Sequence, residues 1–562
     1  MLMHLITFKY MKCKIVYPLI VIILCMADDA IASLTVNGVF SDNMVLQRDV
    51  RFPVWGNTDA NNIITVSFGG QKHSAKADTN GRWVVYFNPI NTESRSSDLV
   101  VIDNVTKKIF HNVVVGEVWL AGGQSNMGYP LFAAHNAKDI IPKANDPLLR
   151  LLAVPLRTSV EIEDSINGAY WKLCTPDSAK NFSAVAYFFA KELRAKLGCP
   201  VGVISAAWGG TPIETWISLD GLRQSPEFDK TLKDYYQAID KHQYVLKNPL
   251  LESNYQASLI KWKKEVQPLY DMAMKSYNAD KDAGRNVEKK PEPAWPEPQN
   301  PDPTGMPSPS KRPQVPTISF NGMIAPLAPY AVRGIIWYQG EANGAAGIEY
   351  RKLFPRLIQS WRNFWHNEMP FLYVQLPACY EDPVPVAIKG WPWLREAQAM
   401  TETQSHVSMA VAIDLGDPNN VHPTDKYDVA HRLALLARHD VYGEASLVAS
   451  GPKYCDFKIV GNTIRVRFND IGTGLMAGQA PWRARGVEPL PLDHLVGFFI
   501  AGSDHIWKPA NAVIDNDCVL VSSESVSSPV AVRYAWANSP RCNLYNKEGL
   551  PTAPFRTDRW DK

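Results

Sequence analysis

A chain of 562 residues and 62.8 kDa is too long to fold around one hydrophobic core, so roughly two to four domains are expected. Hydrophobic residues at 46%, charged residues at 20% and a formal net charge of +2 are an ordinary globular balance, without the basic excess that nucleic acid demands of a partner. The 17 Trp and 22 Tyr supply flat apolar rings of the kind on which sugar faces stack, although most rings in a chain of this size are core or rim packing.

Residues 1–32 have the pattern of an export signal. Lys12 and Lys14 precede the apolar run from Ile15 to Met26, and Ala30-Ile31-Ala32 forms a small-residue cleavage site. The run is shorter than the about 20 apolar residues of a spanning helix and contains Pro18, so no stable membrane insertion is expected. The mature chain then begins near Ser33, in the periplasm or outside the cell. Cys174, Cys199, Cys379, Cys455, Cys518 and Cys542 remain in it, and an oxidising compartment permits disulfides without choosing their pairing. Nothing of the CxxC, HExxH or His-cluster type is present, so neither metal nor other cofactor is expected.

Residues 33–115 form short alternating runs. Ile64, Val66 and Phe68 share one face, and Asn80-Gly81 leads into Trp83, Val85 and Phe87 as a hairpin signal, which predicts a small β-sandwich-like domain. The period changes after residue 116. Apolar runs at Val115–Leu120, Val201–Ala207, Gly334–Gln339, Phe371–Leu376 and Ser408–Asp414 alternate with amphipathic stretches around Ser183–Leu197, Lys352–Trp365, Leu394–Gln404 and Thr424–His439. Strand followed by helix in this order predicts an α/β domain over 116–445, with a parallel sheet covered by helices. An insertion interrupts it at about 224–316, first Tyr-rich and helical, then with ten prolines between Pro291 and Pro316. So many prolines exclude sheet and helix interiors, and the segment reads as a strap over the surface in preference to a substrate lid. Residues 446–562 return to β character as a C-terminal β domain, through Thr463–Phe468, Leu495–Ile500, Cys518–Val521 and Val530–Trp536.

The chemistry-bearing residues lie at strand ends. Gly122-Gly123-Gln124-Ser125 follows the first α/β strand, where glycines let the chain turn so that a serine hydroxyl stands at the carboxyl edge of the sheet. A Gly-Gly-x-Ser turn is also an ordinary helix entry. His422, in Asp417-Pro418-Asn419-Asn420-Val421-His422-Pro423-Thr424, follows the last strand; a histidine on that edge can take the serine proton. Trp208-Gly209-Gly210-Thr211 and Gln339-Gly340-Glu341-Ala342-Asn343 follow two further strands, where donors to an oxyanion are needed. In a parallel sheet all four turns share one edge, and this convergence says more than any one of them.

These four segments resemble the sequence blocks of the SGNH hydrolases, and within them the sialate O-acetylesterase-like carbohydrate esterases, with hallmarks like GQSNM, WGGTPIExW, WxQGEAN and HPxDK. The likeness runs from Asn43-Met44-Val45-Leu46-Gln47 to Gly549-Leu550-Pro551. It implies a flavodoxin-like three-layer α/β/α domain with N- and C-terminal β-sandwich-like additions. It implies Ser125 as nucleophile, the amides of Ser125 and Gly209 with the side chain of Gln339 or Asn343 as oxyanion donors, and His422 as base. Relatives often carry Asp three residues before the histidine, where this chain has Asn419. Asp417, on the same loop, is the candidate orienting acid, Asp414 the less favoured one, and a Ser-His dyad oriented by a backbone carbonyl is a third arrangement. Glu341 is expected to be a buried partner holding its loop. The implied activity is release of O-acetyl groups from carbohydrate, either acetylated sialic acid or acetylated plant polysaccharide such as xylan or xyloglucan. A non-catalytic carbohydrate-binding protein on the same fold is the competing function, and the oligomeric state is not legible.

Overall fold

The computed structural model describes residues 34–560, except 283–284, 286–288, 307–310, 381–389, 480–486 and 492–493; the expected export signal lies outside the described residues. Its centre is a parallel sheet. In chain order the strands and helices are Lys107–Gly123 (β1), Asp146–Ala153 (β2), Lys172–Cys174 (β3), Ala184–Leu197 (α1), Val201–Ala207 (β4), Gly334–Tyr338 (β5), Gly347–Trp365 (α2), Phe371–Gln375 (β6), Trp391–Thr401 (α3), Val407–Val411 (β7) and Tyr427–Leu436 (α4). The spatial order is β3-β2-β4-β1-β5-β6-β7, parallel throughout except for the antiparallel edge pair β3/β2. β5 and β6 are buried at every residue, as strands covered on both faces must be. Trp119 of β1 packs its ring on Phe189 of α1, whereas Trp337 of β5 packs on Trp361 of α2.

Strand β1 is longer than the apolar run that announces it. Its first half pairs with Glu93–Ile102 and Val45–Gln47, and its second half, from Glu117 onward, enters the parallel sheet. At that transition the completely buried Glu117 accepts hydrogen bonds from Arg48, from Arg333 Nε (2.8 Å) and from Gln47 Nε2 (3.1 Å). A carboxylate removed from water needs such partners, and this set fixes the strand where it changes sheets.

The N-terminal strands differ from expectation in one respect. Ile64, Val66 and Phe68 are buried on one face, and Trp83, Val85 and Phe87 on another, but the two strands do not pair. Ile63–Phe68 forms its hairpin with Gln71–Lys76 through Gly69-Gly70, both at positive φ (55° and 76°), while Arg82–Phe87 pairs with Phe52–Asn57 in a second sheet. Asn80-Gly81 is therefore a turn between sheets, tied by the Asp78 carboxylate, which accepts the amides of Asn80 and Arg82. The sheets meet through Phe68 and Phe87.

The helical insertion comprises Asp229–Lys247, Pro249–Glu265 and Gln267–Asp282. The C-terminal strands have their own core, including Val466, Phe498, Val519, Val532 and Tyr534. They dock on α3, where Arg395 donates to the carbonyls of Ala537 and Asn538 (both 2.7 Å) and Trp393 packs on Trp536. Among the described residues no helix is long and apolar enough to cross a membrane.

Candidate active site

The turn after β1 can be made only with glycine at its first bend. Gly123 has φ +142°, and a Cβ there would stand 2.1 Å from the carbonyl oxygen of Tyr338. That approach lets the amide of Gln124 donate to Tyr338 O (3.0 Å) and the amide of Trp208 to Gly123 O (3.0 Å), so the ends of β5, β1 and β4 are clasped together. The side chain of Gln124, almost wholly buried, accepts the amides of Gly340 and Ala342. Ser125 is thereby held at the carboxyl edge, half-buried, with its side chain toward the loop that follows β7.

His422 arrives there from 297 residues away. Its Nε2 lies 2.7 Å from Ser125 Oγ. The ring is half-buried beside Tyr129, with ring centroids 6.2 Å apart. Burial, followed by the positive charge of Lys426, holds the imidazole below the usual histidine range, so the neutral form that can accept a proton is favoured. The His422 amide donates to Asn420 Oδ1 (2.9 Å), which shapes the loop ahead of Pro423.

Gly209 sits against the serine, since a Cβ at Gly209 would lie 3.1 Å from Ser125 Cβ. Among the described residues the amides of Ser125 and Gly209 have no protein acceptor, which leaves both as donors to a group bound beside Ser125 Oγ. Of the two side chains expected to join them, Gln339 has both Nε2 hydrogens engaged, by Thr211 O (3.2 Å) and Asn343 Oδ1 (2.8 Å), and its Oε1 accepts the Tyr350 hydroxyl. Asn343 Oδ1 accepts from Gln339 and from the Ile213 amide, while its Nδ2 donates to Glu214 (3.0 Å) and, among the described residues, has a second hydrogen to spare. Gln339 is thus a brace and Asn343 the available donor.

The acidic candidates separate as well. The Asp417 carboxylate accepts the amide of Asn419 within its own loop (3.0 Å) and, among the described residues, makes no contact with the His422 ring. Asp414 is engaged elsewhere, in a two-pronged ion pair with Arg432 (2.6 and 2.8 Å) and under the Tyr545 hydroxyl. Glu341 is half-buried as a residue, with its carboxylate withdrawn from solvent, and accepts from Asn126. Burial raises its pKa, and Asn126 and Lys426 pull it back.

Sequence reasoning passed over three side chains of this region: Gln124, Asn126 and Lys426, all buried. The signal was there in the polar residues flanking Ser125 and four residues beyond His422, since polar groups on an apolar edge need partners. The end of the Pro-rich segment also reaches the site, with the Arg312 stem against Gly210 and Gln314 Nε2 on the Gly210 carbonyl (3.3 Å).

No protein-family model matches the chain. It is 27% identical to sialate O-acetylesterase of Rattus norvegicus over 92% of this chain and 93% of that protein, and 26% identical to that of Homo sapiens over 92% and 91%. Among solved structures it resembles a carbohydrate acetylesterase from Xanthomonas citri, with a TM-score of 0.72 and 34% identity over 94% of this chain and 100% of that one. Likeness of this extent, over nearly the full length of both chains, places the protein in the sialate O-acetylesterase-like family of carbohydrate esterases, which are carboxylic ester hydrolases.

Proposed function

We propose that this protein is a serine esterase that removes O-acetyl groups from carbohydrate through an acetyl-enzyme, with Ser125 as nucleophile and His422 as general base. The observation that carries the reading is the 2.7 Å approach of His422 Nε2 to Ser125 Oγ. His422 takes the hydroxyl proton as Oγ attacks the acetyl carbonyl, then returns it to the departing sugar oxygen. Water, deprotonated by the same ring, releases acetate. The amides of Ser125 and Gly209 and the spare Nδ2 hydrogen of Asn343 stabilise the oxyanion, each by roughly 2.7–4 kcal/mol if they act as such donors do elsewhere. Metal and other cofactors have no part in this scheme. The ring is oriented by its loop, so Ser125 and His422 work as a dyad, with Asp417 shaping the loop from a distance.

Helices α1 and α2 packed against Trp119 and Trp337 support the SGNH-type α/β/α layering, with the β domains of 33–115 and 446–562 as additions and 224–316 as an insertion. Export after removal of residues 1–32 fits an enzyme acting on extracellular glycan. Its substrate class is acetylated sialic acid or acetylated plant polysaccharide. Tyr380, 53% exposed and tied through its amide to Pro418 of the His422 loop, offers a ring to a sugar face. The test is acetate release from O-acetylated sialic acid and acetylated xylan offered side by side. Release from either supports the reading and names the class; release from neither, with a folded protein, overturns it.

A further inference from the structure

The side chain next to the nucleophile ties the whole site together. Asn126 is completely buried, and its Nδ2 donates both to Glu341 and to the carbonyl of Val421 (2.9 Å), the residue immediately before His422. Its Oδ1 accepts from Lys426 Nζ at 2.5 Å. One amide therefore joins the Ser125 turn, the Glu341 loop and both sides of the His422 segment.

Lys426 is itself completely buried, with its ammonium 4.8 Å from the ring centre of Tyr129 and 5.5 Å from that of Tyr338. The charged and titratable groups around it are Glu341 from the loop after β5, Asp425 on its own segment, the phenols of Tyr129 from the Ser125 turn and Tyr338 from β5, and His422. An ammonium taken out of water is costly, and an apolar residue of the same length would fill this space without that cost. Its retention beside a catalytic pair calls for a role that uses the charge.

We propose that Lys426 is a positioning residue for ester hydrolysis, which through Asn126 clamps the His422 loop against Ser125 and presents a positive charge to the imidazole. The proposal rests on the Ser125–His422 reading above. A carboxylate behind the ring would favour the imidazolium; a buried ammonium disfavours it and keeps the base available at lower pH. Burial pushes Lys426 down to about 7, with Glu341 and Asp425 pulling it back, so the ammonium is charged through the acidic range in which His422 protonates. The like charge is present where it matters.

The experiment is the pH dependence of kcat/KM for an aryl acetate, from acidic to neutral pH, for wild type, Lys426→Met and the double variant Glu341→Gln/Lys426→Met, each with a thermal unfolding curve. The double variant removes the carboxylate along with the ammonium, so it keeps the buried cluster charge-balanced where the single variant does not fold. Both are expected to move the acid limb to higher pH and to lose about tenfold or more at the acidic end, with a smaller loss at neutrality. An acid limb that stays where it is in the folded variants overturns the proposal, because a loss that is uniform with pH is what displacement of the loop alone would give and leaves the ammonium without an electrostatic role. Ser125→Ala is run alongside. If it abolishes release, an unmoved limb counts against Lys426 alone; if it retains turnover, the reading beneath the proposal fails.

Discussion

Substitution of Gly209 by Ala probes the oxyanion side of the site with the smallest possible change. The added Cβ would stand 3.1 Å from Ser125 Cβ, 3.6 Å from Ser125 Cα and 3.9 Å from its amide nitrogen. Carbon atoms in contact sit at about 3.5–4.0 Å, so the turn must yield by a few tenths of an ångström. Overpacking of this kind costs about 1–3 kcal/mol in stability. The larger effect falls on catalysis, because the yielding atoms carry the hydroxyl and both amide donors. A 1 Å misplacement costs roughly 100-fold, and a shift of a few tenths should cost about tenfold in kcat. The assay is steady-state hydrolysis of an aryl acetate, with circular dichroism to establish the fold. The reasoning is refuted by a folded Gly209→Ala enzyme with wild-type kcat, since the strand-end turn would then not face the reacting atoms.

Asp414 and Asp417 should behave oppositely. Asp414→Asn breaks a buried pair with Arg432 and is expected to lower stability by about 3–5 kcal/mol, read as a fall in denaturation midpoint, whereas folded Asp417→Asn should keep most of its turnover. A large kinetic loss at Asp417 with stability intact would restore it as the orienting acid. Asn343→Asp keeps the oxygen that braces Gln339 and Ile213 but removes both Nδ2 hydrogens, the spare one and the one given to Glu214, and sets a carboxylate against that of Glu214, so kcat should fall about 10²-fold or more together with some stability; an unchanged rate would remove Asn343 from the oxyanion hole. For the wild type, the acid limb of kcat/KM should lie below the ordinary histidine range, because His422 loses activity only as pH falls through a lowered pKa. A limb at or above that range would contradict the burial of the ring.

Much of this fold is legible in the chain because fully buried parallel strands leave continuous apolar runs, as at Gly334–Tyr338 and Phe371–Gln375. Asp146–Ala153 escaped notice because it is an outer strand opening on Asp146-Pro147 and interrupted by Arg150, so it has no such run. Arg150 is nonetheless buried, satisfied by the carbonyls of Pro147, Asn43 and Asn112. Asn80-Gly81 misleads because a turn between sheets and a hairpin turn require the same positive-φ residue, and only the pairing distinguishes them. The candidate site was legible at Ser125, Gly209 and His422, whose turns sit at strand ends. Its supporting shell was not, because the partners of Asn126 lie 215 and 300 residues further along, at Glu341 and Lys426. Periodicity and local turn chemistry carry no information about contacts at that separation.

The central claim is that Ser125, activated by His422, carries the acetyl group, and the most direct test is acetate release by Ser125→Ala compared with wild type at equal concentration. The hydroxyl makes its hydrogen bond to His422 and supports no core packing, so the variant should fold and unfold as wild type does. Turnover should fall by about 10⁴-fold or more, as for other nucleophile deletions. A folded Ser125→Ala protein that releases acetate at a rate near wild type would contradict the account.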